Sequence, residues 1–451
     1  MTGTTTGRSS APGDTDVTAV GVGRERQGAI YRAGVLGRTP DVPTDAAALE
    51  AAGEKAMSRR ARAYVAGGAG EGTTMRHNRE AFDRWRIVPR MLHGTARRDL
   101  TTTVLGTPLR APLMLAPVGA GELVRPDSDV QIARGAATAG TPYVFSSQGC
   151  NPMEETARAM GETPFWYQLY WSTDEPLVDS MIRRAEAAGA QALVVTLDTT
   201  TLGWRPQDLN LGSLPFARGQ GIAQYTSDPR FREIVRERVA RAAAAGPAEK
   251  VEVTLGAIRS LLSITRRHPG RFVDNLRSPE PRAAVETFLD IYSNPGLSWE
   301  HLATLRSRTA LPILLKGILH PDDAERALAA GVDGLVVSNH GGRQVDHSIA
   351  ALDALVSVRE RLGPEPTVLF DSGIRTGADL FLALALGADA CLLGRPHLYG
   401  LALAGAVGVT QVIQNVLAEL DLTMGLVGAA TISDITRDLL VEAGYKRGAR
   451  L

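Results

Sequence analysis

The sequence predicts an α/β fold in which strands and helices alternate to form a (β/α)8 TIM barrel, and three observations indicate it. From about residue 112 onward, eight short apolar segments alternate with helical, alanine-rich segments. This alternation is typical of parallel strands joined by crossover helices, and eight repeats favour a closed barrel. Polar residues follow the apolar segments directly, at the strand ends where barrels place their functional groups.

The eight predicted strands are continuous apolar runs, as expected of strands that are buried on both faces. In chain order they cover residues 113–116, 143–146, 166–169, 193–196, 313–316, 335–338, 368–371 and 391–394. Helical patterns lie between them, for example at residues 322–330 and 377–387. An open, doubly wound sheet is the alternative, but no G-x-G-x-x-G fingerprint of dinucleotide binding follows the first strand.

Three additions to the barrel are predicted. Residues 1–28 are expected to form a disordered tail, and residues 29–451 the barrel domain. An N-terminal helical extension covers residues 45–66, and a hairpin at residues 100–110 closes the barrel floor. Residues 206–298, after the fourth strand, form a long insertion with an exposed amphipathic helix at residues 231–244. A lid over the active site is the expected role of this insertion, and a peripheral decoration is the alternative.

The composition argues against several classes of protein. Lysine plus arginine and aspartate plus glutamate both number 49, so no net field favours nucleic acid or an anionic membrane. Cys150 and Cys391 are too few for a disulfide framework or a thiolate metal cluster, and a cytoplasmic location is expected. No apolar stretch is expected to span a bilayer, and the start of the sequence does not resemble a secretory signal.

The most informative motif is the heptapeptide S-N-H-G-G-R-Q at residues 338–344, directly after the sixth strand. Its two glycines allow a sharp turn and a close approach of the backbone to a ligand. His340 can move a proton near neutral pH, and Arg343 offers a planar fork to a carboxylate. A surface loop with a chance His and Arg is the alternative, but other strand ends also carry polar residues. These include Gln168, Tyr170, Thr196, Asp198, Arg205 and Lys316.

The loops after the seventh and eighth strands predict a phosphate site, because barrels commonly bind phosphate there. Gly373 and Gly394 expose backbone N–H donors, while Arg375 and Arg395 carry guanidinium groups that match phosphate oxygens. The remaining histidines do not have the spacing of metal ligands, so no metal site is expected.

Together these motifs resemble the FMN-dependent enzymes that oxidise α-hydroxy acids, a family that includes glycolate oxidase, lactate oxidase, lactate 2-monooxygenase, mandelate dehydrogenase and flavocytochrome b2. The matching motifs are S-N-H-G-G-R-Q at 338–344, Q-L-Y at 168–170, L-K-G at 315–317, D-S-G-I-R at 371–375 and G-R-P at 394–396. They occur in the family's order, and the resemblance covers nearly all of the chain after residue 64. It implies a barrel that binds FMN and oxidises a small L-2-hydroxy acid.

The resemblance also implies a role for each residue. His340 is matched to the catalytic base, which takes either the α-proton or the hydroxyl proton of the substrate. Asp198 is matched to the group that stabilises the protonated His340. The residues matched to substrate binding are Tyr64, Tyr170, Arg205 and Arg343. The residues matched to the cofactor are Pro117, Val118, Gly119, Ser146, Gln168, Thr196, Lys316, Ser338, Asp371, Ser372, Gly373, Ile374, Arg375, Gly394 and Arg395.

Within the family the likeness is greatest to lactate 2-monooxygenase, through Y-V-A-G-G at 64–68, A-P-V-G at 116–119, G-W-R-P at 203–206 and the long insertion. This implies that L-lactate is oxidised by oxygen and that the keto acid is decarboxylated to acetate and carbon dioxide. Gly119, which is Ala in many relatives, is expected to leave room beside the flavin for the retained keto acid.

Three alternatives to that reaction remain open. The first is an oxidase that releases keto acid and hydrogen peroxide. The second is a family member that acts on a larger hydroxy acid, and the third is a flavin-binding barrel without turnover. The resemblance also implies a homotetramer. The expected partners are the small substrate and oxygen, with no nucleic acid and no membrane.

Overall fold

The computed structural model describes residues 21–245 and 254–444. Within these residues eight parallel strands close a barrel, which confirms the predicted fold. The strands are β1 Trp85–Ile87, β2 Thr102–Val104, β3 Thr107–Leu109, β4 Leu113–Leu115, β5 Tyr143–Ser146, β6 Phe165–Leu169, β7 Leu193–Thr196, β8 Ile313–Ile318, β9 Gly334–Val337, β10 Thr367–Phe370, β11 Ala390–Leu393 and β12 Leu440–Glu442. The barrel consists of β4 to β11 in chain order, and β11 pairs with β4 to close it.

The helices lie before the barrel, between its strands, in the insertion and after β11. They are α1 Val22–Val35, α2 Ala46–Ala56, α3 Arg59–Ala66, α4 Thr73–Glu80, α5 Ser128–Ala139, α6 Met153–Met160, α7 Glu175–Ala188, α8 Pro206–Leu209, α9 Ala223–Thr226, α10 Pro229–Ala244, α11 Leu255–Arg267, α12 Phe272–Arg277, α13 Glu280–Ile291, α14 Trp299–Leu305, α15 Pro321–Ala329, α16 Ala351–Leu362, α17 Gly377–Ala385 and α18 Arg395–Val427. Short 3₁₀ segments cover Phe82–Arg84, Gly121–Leu123, Phe216–Arg218, Ile432–Asp434 and Arg437–Leu439.

The eight predicted strands agree with β4 to β11 to within two residues at each end. The barrel strands are buried along nearly their whole length, as their continuous apolar sequences predicted. Their inward-facing side chains form the barrel interior, and their outward-facing side chains pack under the surrounding helices. The inward-facing residues include Met114, Val144, Trp166, Val194, Leu314, Val336, Leu369 and Leu392.

The predicted hairpin is formed by β2 and β3, which pair antiparallel. Its residues Val104 and Leu109 join the apolar barrel interior. The indole N–H of Trp166 donates to Oγ1 of Thr107 at 3.1 Å. Because Trp166 lies near the start of β6, the hairpin closes the amino-terminal end of the barrel, as predicted.

The helices α2 and α3 confirm the helical extension predicted at residues 45–66. The side chain of Asp45 accepts the N–H of Ala48, and the side chain of Ser58 accepts the N–H of Ala61. These are N-cap contacts that satisfy otherwise unpaired N–H groups at the first turn. α3 then carries Tyr64 to the carboxyl end of the barrel.

The boundary predicted for the N-terminal tail, at residue 28, is wrong because α1 begins at Val22. The N–H of Gly23 donates to the Asp421 carboxylate of α18 at 2.9 Å, and Asp421 also pairs with Arg98 at 2.8 Å. Local composition carries no sign of these contacts, since Gly23 and Asp421 are 398 positions apart. Residues 1–20 of the predicted tail lie outside the described residues.

Helix α18 corrects the expectation that no segment is apolar enough to span a membrane. By length and composition alone, this 33-residue helix is long and apolar enough to cross a membrane. In the folded chain, 44% of its most apolar window is buried inside the structure. Ala404 and Gly405 have non-helical backbone angles, so the helix is broken into two parts. It packs against α1, α2, α5 and α17, as a largely apolar core helix does.

The insertion after β7 includes α8 to α13 and the 3₁₀ segment Phe216–Arg218. α10 covers the amphipathic helix predicted at residues 231–244, and its Phe231 and Val235 are buried. Phe288 of α13 is also fully buried. The carbonyl of Ile291, at the end of α13, accepts a hydrogen bond from the hydroxyl of Ser172 at 2.8 Å. This part of the insertion is therefore packed firmly onto the barrel.

Candidate active site

A cavity with about 980 Å³ of empty space, which includes the solvent at its open mouth, lies at the carboxyl ends of the barrel strands. Most of the predicted site residues line it: Tyr64, Pro117, Val118, Gly119, Tyr170, Arg205, Lys316, His340, Arg343, Asp371, Ser372, Gly373, Ile374, Arg375, Gly394 and Arg395. The others are in or directly after β5, β6, β7 and β9, behind this lining: Ser146, Gln168, Thr196, Asp198 and Ser338.

His340 and Asp198 form a hydrogen-bonded pair, with Nδ1 of the imidazole 2.8 Å from Oδ1 of Asp198. His340 follows β9 in the left-handed backbone region, with φ at 57°, where residues other than glycine are uncommon. Its backbone N–H donates to Oγ of Ser338 at 3.1 Å, which holds this turn in place. Because Nδ1 is engaged by Asp198, Nε2 is the ring nitrogen left to exchange a proton with a ligand.

The surroundings of this pair favour a neutral imidazole and an ionised carboxylate. Burial lowers the pKa of His340, the charges of Lys316 and Arg205 act in the same direction, and Asp198 opposes them. Burial alone would raise the pKa of Asp198, but its interactions with His340 and Lys316 outweigh this and hold the pKa below the usual range. His340 can therefore accept a proton near pH 7, and Asp198 stabilises the imidazolium that results.

Two arginines, the buried Arg205 and the partly buried Arg343, line the same cavity. Nε of Arg205 donates to the backbone carbonyl of Arg343 at 3.0 Å, and its guanidinium also donates to the side chain of Gln344. The Arg343 guanidinium donates to the carbonyls of Tyr64 and Gly67 and lies 4.8 Å from the centre of the Tyr64 ring. Burial and the charge of Arg205 lower the pKa of Arg343 to about 9. A carboxylate bound here would relieve this repulsion and match the planar guanidinium groups.

Two tyrosines complete this end of the cavity. Tyr64 of α3 and Tyr170 after β6 are both buried in its wall. Burial raises the pKa of both phenols, so they remain protonated and able to donate a hydrogen bond. The backbone N–H of Tyr170 donates to Oγ of Ser147 at 3.3 Å, which fixes the loop after β6. The arrangement suits a small carboxylic acid that also carries an oxygen substituent on its α-carbon.

Lys316 of β8 is almost fully buried and is balanced by an anionic partner. Its Nζ lies 3.0 Å from Oδ2 of Asp371 and donates to Oγ of Ser338 at 2.8 Å. Burial would lower the pKa of Lys316, but Asp371 and Asp198 outweigh it and raise the pKa, so the ammonium stays charged. A buried ammonium at this position stabilises negative charge that develops on a bound ligand.

Two buried polar atoms near the strand ends have no hydrogen-bond partner among the described residues. Gln168 accepts hydrogen bonds at Oε1 from Oγ of Ser146, at 3.3 Å, and from the N–H of Ser147, at 3.2 Å. Its Nε2 has no partner, and neither does Oγ1 of Thr196. Because unsatisfied buried groups are costly, these atoms indicate a polar ligand across the ends of β6 and β7.

A Cβ at Gly119 would not point into open space, which corrects the expectation that the missing methyl by itself leaves room beside the flavin for a retained keto acid. A Cβ at Gly119 would lie 2.7 Å from Cβ and 3.1 Å from Oε1 of Gln148. Gln148 itself lines the cavity, and its carbonyl accepts the N–H of Ala120 at 2.9 Å. A larger residue at position 119 would therefore displace Gln148 first.

The loops after β10 and β11, where the sequence predicts a phosphate site, line the same cavity. Nε of Arg375 is buried without a hydrogen-bond partner in the described parts of the chain, with the Glu50 carboxylate 3.6 Å away. Gly373 has φ at 114° and Ser372 has φ at 80°, so the loop after β10 turns sharply. Helix α18 begins directly after Gly394, and the first N–H groups of a helix are suited to a phosphate.

The side chain of Arg395, which lines the cavity, also makes backbone contacts that the sequence did not predict. Its guanidinium donates to the backbone carbonyls of Val65, Gly341 and Gly67 at 2.9, 2.9 and 3.0 Å. It therefore ties the end of α3 to the heptapeptide loop. Arg395 can still offer an anion the guanidinium N–H groups that these carbonyls do not engage, together with its backbone N–H at the start of α18.

Sequence reasoning missed several residues of the site. The cavity is also lined by Gln148, Thr199, Leu202, Phe216, Tyr292 and Leu398. Phe216 and Tyr292 come from the insertion, whose fold depends on contacts between distant residues. Asn339 exchanges hydrogen bonds with Asn78 of α4 at 2.8 and 2.7 Å, so it fixes the heptapeptide loop. Its position within the heptapeptide was the available signal.

These residues fit FMN. The unpaired Nε2 of Gln168 and Oγ1 of Thr196 suit the polar edge of the flavin ring. The ammonium of Lys316 suits the negative charge that the ring gains when it is reduced. The unpaired Nε of Arg375 and the start of α18 suit one phosphate. In residues 21–245 and 254–444, no group of three or more His, Cys, Asp or Glu side chains could hold a metal ion.

Comparisons with known proteins agree with this fit. The sequence model of the family described as FMN-dependent dehydrogenase matches residues 53–442. The FMN-dependent alpha-hydroxy acid dehydrogenase qulF of Penicillium citrinum is 39% identical, over 92% of this chain and 95% of that protein. The L-lactate oxidase of Lysinibacillus sphaericus is 37% identical, over 84% and 88% of the two chains. A structure of mandelate oxidase with (S)-4-hydroxymandelic acid has a TM-score of 0.71 at 30% identity, and covers 89% of this chain and 99% of its own.

The extent of these matches decides the family. The family model covers most of the chain, and the first two relatives are each aligned over more than four fifths of it. The partly buried His–Asp pair, the two arginines and the unpaired polar atoms lie together at the end of a closed barrel. The chain therefore belongs to the FMN-dependent dehydrogenase family, whose members oxidise α-hydroxy acids with FMN as cofactor.

Proposed function

We propose that the protein oxidises L-lactate, or a similarly short L-2-hydroxy acid, with oxygen, and that the keto acid is decarboxylated before release. The observation that carries the substrate assignment is the placement of Arg205, Arg343 and His340 in one cavity. The arginines can hold a carboxylate, and Nε2 of His340 can take a proton from the neighbouring α-carbon or its hydroxyl group. L-Lactate oxidases among the relatives support the choice of lactate.

The protein supplies positioning and proton transfer. FMN, when bound, accepts the two electrons that leave the α-carbon. Arg205 and Arg343 hold the substrate carboxylate, while the protonated phenols of Tyr64 and Tyr170 donate to its oxygen atoms. His340 receives one proton at Nε2, and the Asp198 carboxylate stabilises the resulting charge through Nδ1. The two arginines thereby orient the substrate relative to the base.

The finer part of the proposal concerns the fate of the keto acid. If the keto acid stays bound, pyruvate and hydrogen peroxide react to acetate, carbon dioxide and water, so that lactate and oxygen are consumed in equal amounts. The insertion supports this retention because its residues Phe216 and Tyr292 form part of the cavity wall. The relatives named L-lactate oxidase favour the second candidate, an oxidase that releases pyruvate and peroxide.

Two measurements test the proposal. Anaerobic mixing of the yellow protein with a panel of 2-hydroxy acids should bleach the flavin fastest with L-lactate or another short L-acid. Aerobic turnover of lactate should then yield acetate in stoichiometric amounts, with little peroxide. Stoichiometric pyruvate and peroxide would establish the oxidase instead, and no bleaching with any acid would reject both.

Replacing Gly119 by alanine should shift the products of lactate from acetate toward pyruvate and peroxide. The new methyl group would lie 2.7 Å from Cβ of Gln148 and push that residue within the cavity wall. We expect anaerobic flavin reduction to change less than the product ratio, because His340 and the arginines are untouched. Gly34→Ala is the matched control, since nothing lies within 4 Å of a Cβ at that position. An unchanged product ratio would separate Gly119 from the fate of the keto acid.

The rate of flavin reduction should decrease as the pH falls through the pKa of His340, because only the neutral imidazole accepts a proton. Asp198 raises this pKa, so Asp198→Asn should move the acid limb of the profile to lower pH. It should also slow reduction at the optimum, because the imidazolium that forms would lose its neighbouring carboxylate; a loss of about 1.4 kcal/mol of this stabilisation corresponds to a rate about tenfold lower. An acid limb that moves upward, or does not move, would contradict this role of Asp198.

We also propose that the protein is a cytoplasmic homotetramer. The support is the likeness to the family and, for the location, the two unpaired cysteines Cys150 and Cys391. Light scattering of the purified holoenzyme should give four times the mass of the chain.

A further inference from the structure

We propose that Phe216 and Tyr292, both supplied by the insertion, form a rigid wall that limits the length of the substrate's side chain. This pair is called the aromatic wall below. The inference rests on the proposed function, because it names what makes the preferred 2-hydroxy acid short. It assigns the insertion a role in specificity.

Both side chains line the cavity that contains the predicted substrate-binding residues. Phe216 and Tyr292 line the same cavity as Tyr170, Arg205 and His340, and both are buried. Burial raises the pKa of the Tyr292 phenol, while the charge of Arg205 lowers it. Tyr292 is therefore close enough to the carboxylate-binding arginine to sense its charge. A substrate held by Arg205 would thus have its remaining groups near the aromatic wall.

The aromatic wall is backed by other aromatic rings. The ring of Tyr292 stacks on Phe288, with centroids 4.8 Å apart and planes 9° apart. The Phe216 centroid lies 5.3 Å from that of Phe288, and Tyr225 contacts Phe288 edge-on at 4.8 Å. Phe288 is fully buried, so neither ring of the wall can retreat without disrupting this cluster.

The wall is also attached to the barrel at both sides. The carbonyl of Ile291, next to Tyr292, accepts the hydroxyl of Ser172 at 2.8 Å and the N–H of Thr173 at 3.1 Å. On the other side, the backbone of Gly221 lies between the Phe216 ring and the carbonyl of Gln148, since an added Cβ would be 3.0 Å from both. The wall is therefore hydrogen-bonded to the loop that follows β6 and packed next to the loop that follows β5. A longer substrate side chain would have to displace packed rings.

Truncation of one wall residue tests the inference. Phe216→Ala should raise the ratio of the second-order rate constants of anaerobic flavin reduction for L-2-hydroxyhexanoate over L-lactate. One methylene in an apolar pocket changes such discrimination by about 10-fold to 200-fold, so we expect at least a tenfold rise. Tyr292→Ala should act in the same direction. Tyr292→Phe keeps the ring and should leave the ratio unchanged.

Controls keep the test decisive. Phe272→Ala removes an exposed ring from the insertion, and should not alter the ratio. FMN content and melting temperature establish that each variant is folded. If Phe216→Ala is not folded, Phe216→Leu takes its place, and a smaller rise in the ratio is then expected. Folded variants with an unchanged ratio would overturn the inference, as would a wild-type preference for the hexanoate. Failure of every 2-hydroxy acid to reduce the wild-type flavin would instead reject the proposed function.

Discussion

Replacing His340 by asparagine should slow the reduction of bound FMN by L-lactate about 10²-fold to 10⁴-fold, the usual contribution of a general base. FMN itself should remain bound, because the residues that suit the ring and the phosphate are Gln168, Thr196, Lys316 and Arg375. His340 contacts Asp198 through Nδ1 and leaves Nε2 for the substrate. Asparagine cannot accept a proton there near neutral pH.

Asparagine is the appropriate replacement because of the backbone at this position. His340 has φ at 57°, a region that asparagine adopts more readily than most residues other than glycine. Alanine would add strain to the turn that also positions Gly341 and Arg343. A decrease caused by His340→Asn can therefore be attributed to the lost imidazole more safely than one caused by His340→Ala.

The measurement is stopped-flow flavin bleaching without oxygen at saturating lactate. His320→Asn is the matched control, since His320 is an exposed residue at the start of α15, outside the cavity. The control should reduce FMN at the wild-type rate. A near wild-type rate for His340→Asn with full FMN content would remove His340 from proton transfer and require another base in the cavity.

Most of the barrel could be predicted from the sequence because its strands are buried on both faces. A strand such as β7 then consists of apolar residues without a break, and its end is marked by the first polar residues, Thr196 and Asp198. Parallel strands bring their carboxyl ends to one side of the sheet. Residues as distant as Asp198 and His340 therefore meet at 2.8 Å, although the sequence separates them by 142 positions.

The parts that could not be predicted depend on contacts that local patterns do not encode. The start of α1 is set by Asp421 of α18, and the insertion is held by Phe288 and the carbonyl of Ile291. The direction in which Gly119 would project a methyl group depends on the loop that carries Gln148. For the same reason the sequence did not indicate that the Arg395 guanidinium donates to three backbone carbonyls.

Replacing either Arg205 or Arg343 by lysine should weaken the capture of lactate although the positive charge is kept. The guanidinium of Arg343 donates to the carbonyls of Tyr64 and Gly67 while it lines the cavity. Arg205 likewise donates to the Arg343 carbonyl and to Gln344. Each arginine thus uses part of its planar fork to hold its place and has further N–H groups for a carboxylate. A lysine ammonium is a compact point charge that cannot do both in the same geometry.

The expected loss in the second-order rate constant of flavin reduction follows from this geometry. Removing one partner from a buried, hydrogen-bonded charge pair costs about 2–5 kcal/mol. Because lysine keeps the charge, we expect the lower end, about 2 kcal/mol or a decrease of about 30-fold. Arg343→Met, which removes the charge as well, should lose more than Arg343→Lys. Arg259→Lys, an exposed position on α11, is the matched control and should have no effect.

The dependence on lactate concentration distinguishes binding from chemistry in these variants. If the arginines hold the carboxylate, Arg205→Lys and Arg343→Lys should require higher lactate concentrations for half-maximal reduction. Both variants should also lower the limiting rate, because a displaced carboxylate misaligns the α-carbon with Nε2 of His340.

The effect of salt gives a second readout. The lowered pKa of Arg343 reflects its repulsion by Arg205, which a bound carboxylate should relieve. Because the two arginines lie in a cavity wall, salt screens their charges less than it would screen a pair of exposed arginines. Rising ionic strength should therefore lower the affinity for lactate only weakly. Near wild-type kinetics in both lysine variants would place the substrate carboxylate elsewhere in the cavity.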